Sequence, residues 1–135
     1  MTMLRIITDA ETLLAGFAYP SSAQGRIVAA WRHKALEIAL TPRAMARLAE
    51  GMTRLGRAAG WPPLQVCAMV NAVALQVIRL GSDEVIGPAP SGEGKAVHRE
   101  LPRGAACVVT HDETVLAQDL GVRIVTPGDF WAAYG

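Results

Sequence analysis

Few residues in this sequence could cross-link the chain or hold a structural metal. Cys67 and Cys107 are its two cysteines, and neither belongs to a CxxC pair or stands at a ligand spacing from a histidine. Both lie among apolar residues, so we expect two buried thiols in a reducing compartment, which predicts a cytoplasmic protein. A chain of 135 residues can fold as a single domain over residues 1–135 without a disulfide or a metal.

Excess charge and long apolar runs are also missing. There are 13 basic and 12 acidic residues, whereas a protein that coats nucleic acid usually has a larger basic excess. The longest apolar run, residues 63–80, is interrupted four times by polar side chains, and a membrane span needs about 20 mostly apolar residues. The short segment before Asp9 is unlike a secretory signal. We therefore expect no membrane partner. An apolar content of 51% instead predicts a homodimer, formed through the apolar helix at residues 64–80.

Short β-branched runs alternate with helical patterns along the chain. We predict strands at residues 4–7, 37–40, 83–86, 106–110 and 122–125. We predict helices at residues 13–17, 22–35, 42–60, 63–80, 93–100, 114–120 and 127–134. The third helix has the clearest start, because Thr41 is a hydroxyl cap and Pro42 takes the first helical position. This alternation predicts an α/β protein with three α/β/α layers around a central parallel sheet.

Polar residues follow three of the predicted strands. Asp9 follows the first strand, Thr41 the second, and Thr110, His111 and Asp112 the fourth. Ligands of parallel sheets bind just beyond the carboxyl ends of the strands, so these residues are the candidates for a site. Two acids at one edge are costly unless a metal ion, an arginine or water lies between them.

Three stretches resemble the PIN domain family, particularly the short form of bacterial toxin–antitoxin nucleases. Residues 6–14, Ile-Ile-Thr-Asp-Ala-Glu-Thr-Leu-Leu, are similar to the family's hydrophobic-Asp-Thr-Asn-hydrophobic opening. Residues 104–112 look like its Gly-Ala-Asp, strand, Thr-x-Asp block. Residues 121–130 are similar to its final strand, which turns through Thr-Pro into the last helix. The likeness covers nearly the whole chain and implies a PIN-like fold.

The resemblance implies a ribonuclease whose carboxylates hold Mg²⁺ or Mn²⁺ and which a cognate antitoxin keeps silent. Asp9 and Asp112 match two of the family's acidic positions and are the catalytic and metal-ligating candidates. Counting back from Asp112 puts the family's third acid at Glu93 or Gly94, so Glu93 is the third candidate metal ligand. Such cations prefer oxygen ligands, and they neutralise a phosphate and activate a water. The candidates for contact with RNA are Glu11, Arg43, Arg47 and Thr110.

The sequence departs from the family pattern at three positions. Glu11 stands in place of the asparagine, Ala46 or Arg47 in place of a glutamate, and Ala106 in place of the acid of the Gly-Ala-Asp block. These departures favour a second hypothesis, a catalytically defective PIN-fold protein that binds or regulates a partner. A nucleophilic Asp9, as in aspartyl-phosphate enzymes, is disfavoured because no second aspartate follows two residues later.

Each candidate also has a purely structural interpretation. Asp9 and Asp112 could serve only as helix caps, and Glu93 could be a solvated acid in a first helical turn. Arg47 could pair with Asp9 and neutralise it without a metal. Alternatively, Arg47 and Arg43 could share a solvated helix face or contact RNA phosphates.

Overall fold

Five parallel strands form the sheet in a computed structural model, which describes residues 4–81, 105–117 and 123–135. The strands are β1 (Leu4–Thr8), β2 (Leu36–Leu40), β3 (Ile78–Arg79), β4 (Ala105–Val109) and β5 (Arg123–Val125). The helices of the described ranges are α1 (Ala10–Ala18), α2 (Ala23–Arg32), α3 (Pro42–Ala59), α4 (Pro63–Gln76), α5 (Glu113–Leu116) and α6 (Pro127–Tyr134). The strand order is β3-β2-β1-β4-β5, and every neighbouring pair is parallel.

Successive residues of the central strands enter opposite faces of the sheet. Ile6 and Ile38 belong to one buried cluster, which also contains side chains of α1, α2, α3, α4 and α6. Ile7, Ala39 and Val108 belong to a second cluster, which contains Val115 of α5. Burial on both faces explains why these strands are nearly uniform apolar runs. The predicted three-layer α/β/α arrangement is confirmed.

Side-chain caps fix the starts of several helices. The hydroxyl of Ser22 accepts a hydrogen bond from Gly25 N (3.0 Å), and the hydroxyl of Thr41 accepts one from Ala44 N (3.1 Å). Gly60 ends α3 in the left-handed region, at φ 74°, where glycine carries no steric penalty. The Thr41–Pro42 start agrees with the sequence prediction, because a capping hydroxyl followed by proline is a local signal.

The third strand differs from its prediction. Helix α4 ends at Gln76, and β3 follows at once, with Ile78 paired to Ala39 of β2. The predicted strand at residues 83–86 is therefore wrong as the third strand of the sheet. The mostly apolar run continues past Gln76 to Leu80, so helix and strand could not be separated by periodicity alone. Residues 83–86 and the predicted helix at residues 93–100 lie outside the described ranges.

The two cysteines have different environments. Cys107 of β4 is buried, and burial raises the pKa of its thiol to about 11, although the nearby Arg123 guanidinium acts in the opposite direction. Cys67 of α4 is exposed, so the prediction that both thiols are buried is wrong for this residue. The cause is that α4 leaves one apolar side uncovered. Among the described residues, no helix, α4 included, is long and apolar enough to cross a membrane.

Candidate functional site

The order of strands reverses between β1 and β4. From β1 the chain continues to β2 and β3 on one side of the sheet, whereas β4 and β5 lie on the other side. Thr8 at the end of β1 is paired with Val109 at the end of β4, and Asp9 and Thr110 follow directly. In open parallel sheets this reversal opens a crevice at the carboxyl ends of the strands, which is the usual place for a ligand.

Asp9 lies at this point with both carboxylate oxygens bonded to neighbouring groups. Its Oδ1 accepts a hydrogen bond from Thr12 N (2.9 Å), so Asp9 caps α1. Its Oδ2 accepts a hydrogen bond from the Thr110 hydroxyl (2.5 Å). Helix α1 therefore begins at Ala10, three residues before its predicted start, because the aspartate cap satisfies the first turn.

Thr110 connects the two strand ends. Its side chain is fully buried, and its hydroxyl accepts a hydrogen bond from Asp112 N (3.0 Å) while it donates to Asp9. The Asp112 carboxylate is exposed and accepts a hydrogen bond from Thr114 N (2.9 Å), which caps α5. The structure thus brings Asp9, Thr110 and Asp112 together. The helix-cap interpretation is correct for both aspartates, whether or not they also bind a ligand.

Arg47 does not pair with Asp9. Its Nη1 lies 3.3 Å from Oε1 of Glu11, and both side chains are about three-fifths exposed, at 60% and 62%. The proposed Arg47–Asp9 pair is therefore wrong, because Glu11 in the first turn of α1 faces α3 while Asp9 is bonded to backbone and hydroxyl groups. Arg43 is exposed one turn earlier on α3. Glu93 lies outside the described residues.

Two residues near this edge were missed by the sequence analysis. Nε2 of Gln24, in the first turn of α2, lies 2.6 Å from Nε2 of His111, which joins α2 to the segment after β4. Thr12 is buried, and its hydroxyl has no hydrogen-bond partner among the described residues. Neither residue has a local sequence signal, since Gln24 and His111 are far apart along the chain and Thr12 reads as an ordinary helical residue.

The donor set fits one kind of metal site. The described residues contain no group of three His, Cys, Asp or Glu side chains that could enclose an ion. Mg²⁺, however, is commonly held by one or two carboxylates, with waters and substrate phosphates completing the shell. A carboxylate oxygen has two lone pairs, so the hydrogen bonds at Asp9 leave acceptor capacity. Asp9 fits a cation that is shared with substrate, and the described residues do not form an all-protein cage.

Comparisons of the chain with models of protein families, with curated proteins and with solved structures give no match. The resemblance to the PIN domain therefore rests on the motifs of the sequence itself, and the family stays a prediction.

Proposed function

We propose that this protein is a divergent, divalent-cation-dependent ribonuclease of the PIN type, which hydrolyses RNA phosphodiesters in the cytoplasm and is silenced by a cognate antitoxin. The observation that carries the proposal is the pair of aspartates at the ends of β1 and β4, joined through the Thr110 hydroxyl at the reversal of strand order. Carboxylates placed at this crevice suit a hard cation and the phosphate that it neutralises. The proposal includes a homodimer and excludes a membrane partner.

Each side chain at this edge of the sheet has its own role in the proposed reaction. A bound Mg²⁺ or Mn²⁺ supplies neutralisation of the phosphate and activation of water. Asp9 binds the cation, and Thr110 fixes the orientation of the Asp9 carboxylate by donating to Oδ2. The same hydroxyl accepts a hydrogen bond from the Asp112 backbone, which ties the segment after β4 to Asp9. The hydrogen bonds among Asp9, Thr110 and Asp112 therefore fix the orientation of the Asp9 carboxylate before substrate binds.

Helix α3 offers contacts for the RNA backbone. Four exposed arginines recur along one side of the helix at spacings of four, seven and three residues: Arg43, Arg47, Arg54 and Arg57. Arginines on a row of this kind bind phosphates and position a strand without reading its sequence. The exposed Arg47–Glu11 pair contributes at most about 1 kcal/mol, so a phosphate can displace Glu11.

The first test measures cation binding and RNA cleavage in one set of variants. Mn²⁺ binding is followed by the electron paramagnetic resonance of the free ion, and cleavage is measured on a single-stranded RNA with Mg²⁺. We expect Asp9→Asn to lose both Mn²⁺ binding and RNA cleavage, while circular dichroism shows that the variant is still folded. Glu50→Gln removes an exposed acid of α3 away from the edge and should keep both. Equal Mn²⁺ binding by wild type and Asp9→Asn would contradict the assignment of the site.

The second candidate function is a catalytically defective PIN-fold protein that binds or regulates a partner. It is favoured by the fact that both Asp9 oxygens and one Asp112 oxygen already accept hydrogen bonds within the fold. In this case wild type neither binds Mn²⁺ nor cleaves RNA, and Asp9→Asn only lowers stability. An asparagine amide can accept from Thr12 N through its oxygen, but its nitrogen can only donate to the Thr110 hydroxyl, so the stronger bond from that hydroxyl to a charged carboxylate is lost.

A further inference from the structure

A second polar contact lies beside the network of Asp9, Thr110 and Asp112. Nε2 of Gln24, in the first turn of α2, is 2.6 Å from Nε2 of His111. His111 stands between Thr110 and Asp112 in the chain, and its Cα is about 3.8 Å from the Cα of each. The contact between Gln24 and His111 is therefore one residue away from the hydroxyl that orients Asp9.

The Gln24 amide keeps hydrogen-bonding capacity on the side away from His111. When the ring proton is on Nδ1, Gln24 Nε2 donates to His111 Nε2 and keeps a second N–H. When the amide is turned, Gln24 Oε1 accepts from the ring and keeps a lone pair. In both arrangements the amide retains at least one donor and one acceptor. Because the ring fixes one side of this half-buried amide, the other side is oriented for a ligand.

The charges beside His111 favour an uncharged group of that ligand. Two exposed carboxylates follow His111 in the chain, those of Asp112 and Glu113. They would repel a phosphate, whereas the edge of a nucleobase carries no charge. On the other side of β1, the helix that follows β2 carries the exposed Arg43 and Arg47, which suit phosphates. A strand of RNA that crosses the end of β1 thus meets phosphate contacts on one side and a base contact on the other.

We propose that Gln24, oriented by His111, recognises an adenine base beside the phosphate that is cleaved, an inference that rests on the proposed function for single-stranded RNA at this edge. Glutamine pairs with adenine through two hydrogen bonds, accepting from N6 and donating to N7. This pattern matches the donor and the acceptor that Gln24 retains. Guanine presents two acceptors, N7 and O6, and leaves the amide oxygen without a donor. Single-stranded RNA can offer this base edge because its bases can be unstacked.

RNA probes that differ at one atom test the assignment. Two short oligouridines carry either one adenosine or one 7-deazaadenosine, which lacks the N7 acceptor. Their dissociation constants are measured by fluorescence anisotropy in EDTA, which removes the divalent cation and keeps the strand intact. The phosphates contribute equally to both constants and cancel in their ratio. We expect wild type to bind the 7-deaza probe about three- to tenfold more weakly, as the loss of one neutral hydrogen bond implies.

Three variants separate recognition from a structural role. Gln24→Leu keeps a side chain of similar size and helix propensity but has no amide, so the ratio should fall to about one while circular dichroism shows a folded protein. His111→Ala should also lower the ratio, because the amide loses its fixed orientation. Gln65→Leu changes an exposed glutamine of α4 and is the matched control, which should keep the ratio of wild type.

The proposal is overturned if wild type binds both probes equally or binds neither, or if Gln24→Leu keeps the ratio of wild type. An unchanged ratio in His111→Ala overturns the positioning role of His111. The ribonuclease is decided separately, by Mn²⁺ binding and cleavage. Cleavage without discrimination between the probes overturns the role of Gln24 alone, whereas discrimination without cleavage supports Gln24 as an RNA contact and overturns the ribonuclease.

Discussion

Replacing Thr110 with valine removes the hydroxyl that links Asp9 to the backbone of Asp112, and it leaves in place the bond from the Thr8 hydroxyl to Val109 O (2.9 Å). Valine has the same shape and keeps the branched side chain in its fully buried position, so no cavity opens. Two hydrogen bonds are lost: the one donated to Asp9 Oδ2 and the one accepted from Asp112 N. The backbone bond from Thr110 N to Val125 O (3.0 Å) is untouched. The change therefore isolates the side-chain network of the candidate site.

The expected loss can be worked out from the two bonds. A hydrogen bond to a charged acceptor contributes about 1.5–3 kcal/mol, and one between neutral groups about 0.5–1.5 kcal/mol. Water reaches the partly exposed Asp9 carboxylate and the exposed Asp112, which favours the lower half of the sum. We expect Thr110→Val to lower the free energy of unfolding by about 2–3 kcal/mol and the Tm by roughly 6–9 °C.

Thr110→Ser is the matched control, because it keeps the hydroxyl and loses only a methyl group. That loss should cost about 1 kcal/mol. Urea unfolding followed by circular dichroism gives the free energy, and calorimetry gives the Tm. The interpretation fails if Thr110→Val is as stable as wild type, or if serine destabilises the protein as much as valine does. Either result would show that packing, and not the Asp9–Thr110–Asp112 network, holds this edge together.

Three further outcomes follow from the packing and from Cys107. Gly25→Ala should lower the free energy of unfolding by about 2 kcal/mol in urea unfolding, because its Cβ would collide with the rigid backbone carbonyl of Pro20. Gly51→Ala should stay within about 1 kcal/mol of wild type, since its Cβ meets the movable end of Leu14 and the helix gains propensity. The pKa of Cys107 is raised from 9.0 to about 11, so its contribution to stability is complete below pH 9 and is lost as the pH rises towards 11. When the free energy of unfolding is measured at increasing alkaline pH, it should decline less in Cys107→Ala than in wild type. An equal decline in both proteins would show that Cys107 is not its cause.

The fold was predictable where a short segment carries its own signal. The helix starting at Thr41–Pro42 needs only a capping hydroxyl and a proline with a preset φ, and the last helix has the same start at Thr126 and Pro127. The end of α4 was not predictable, because residues 77–80 continue an apolar run and their state depends on pairing with β2. Leu80 N donates to Leu40 O (2.9 Å), a contact that only the assembled sheet supplies.

The site was predictable in its residues but not in its pairings. Strand ends alone placed Asp9, Thr110 and Asp112 at one edge, since neighbouring parallel strands end at the same side of the sheet. The partner of Arg47 could not be predicted from the sequence. Which acid it meets depends on how α1 and α3 face each other, and that is set by the packing of two helices on the sheet and not by any local pattern.

Helix capping by Asp9 leaves acceptor capacity for the cation of the proposed function. A carboxylate offers about four lone-pair sites, and the two described hydrogen bonds use two of them. The remaining lone pairs lie on oxygens whose direction is already fixed by Thr12 N and the Thr110 hydroxyl, so binding a cation costs little side-chain entropy. Arg47, which was expected as a possible competing cation at Asp9, lies 3.3 Å from Glu11 in the structure. Glu11, which replaces the family's asparagine, and Arg47, one of the two residues at the place of its glutamate, thus contact each other, and this leaves the Asp9 oxygens open to the cation of the proposed function.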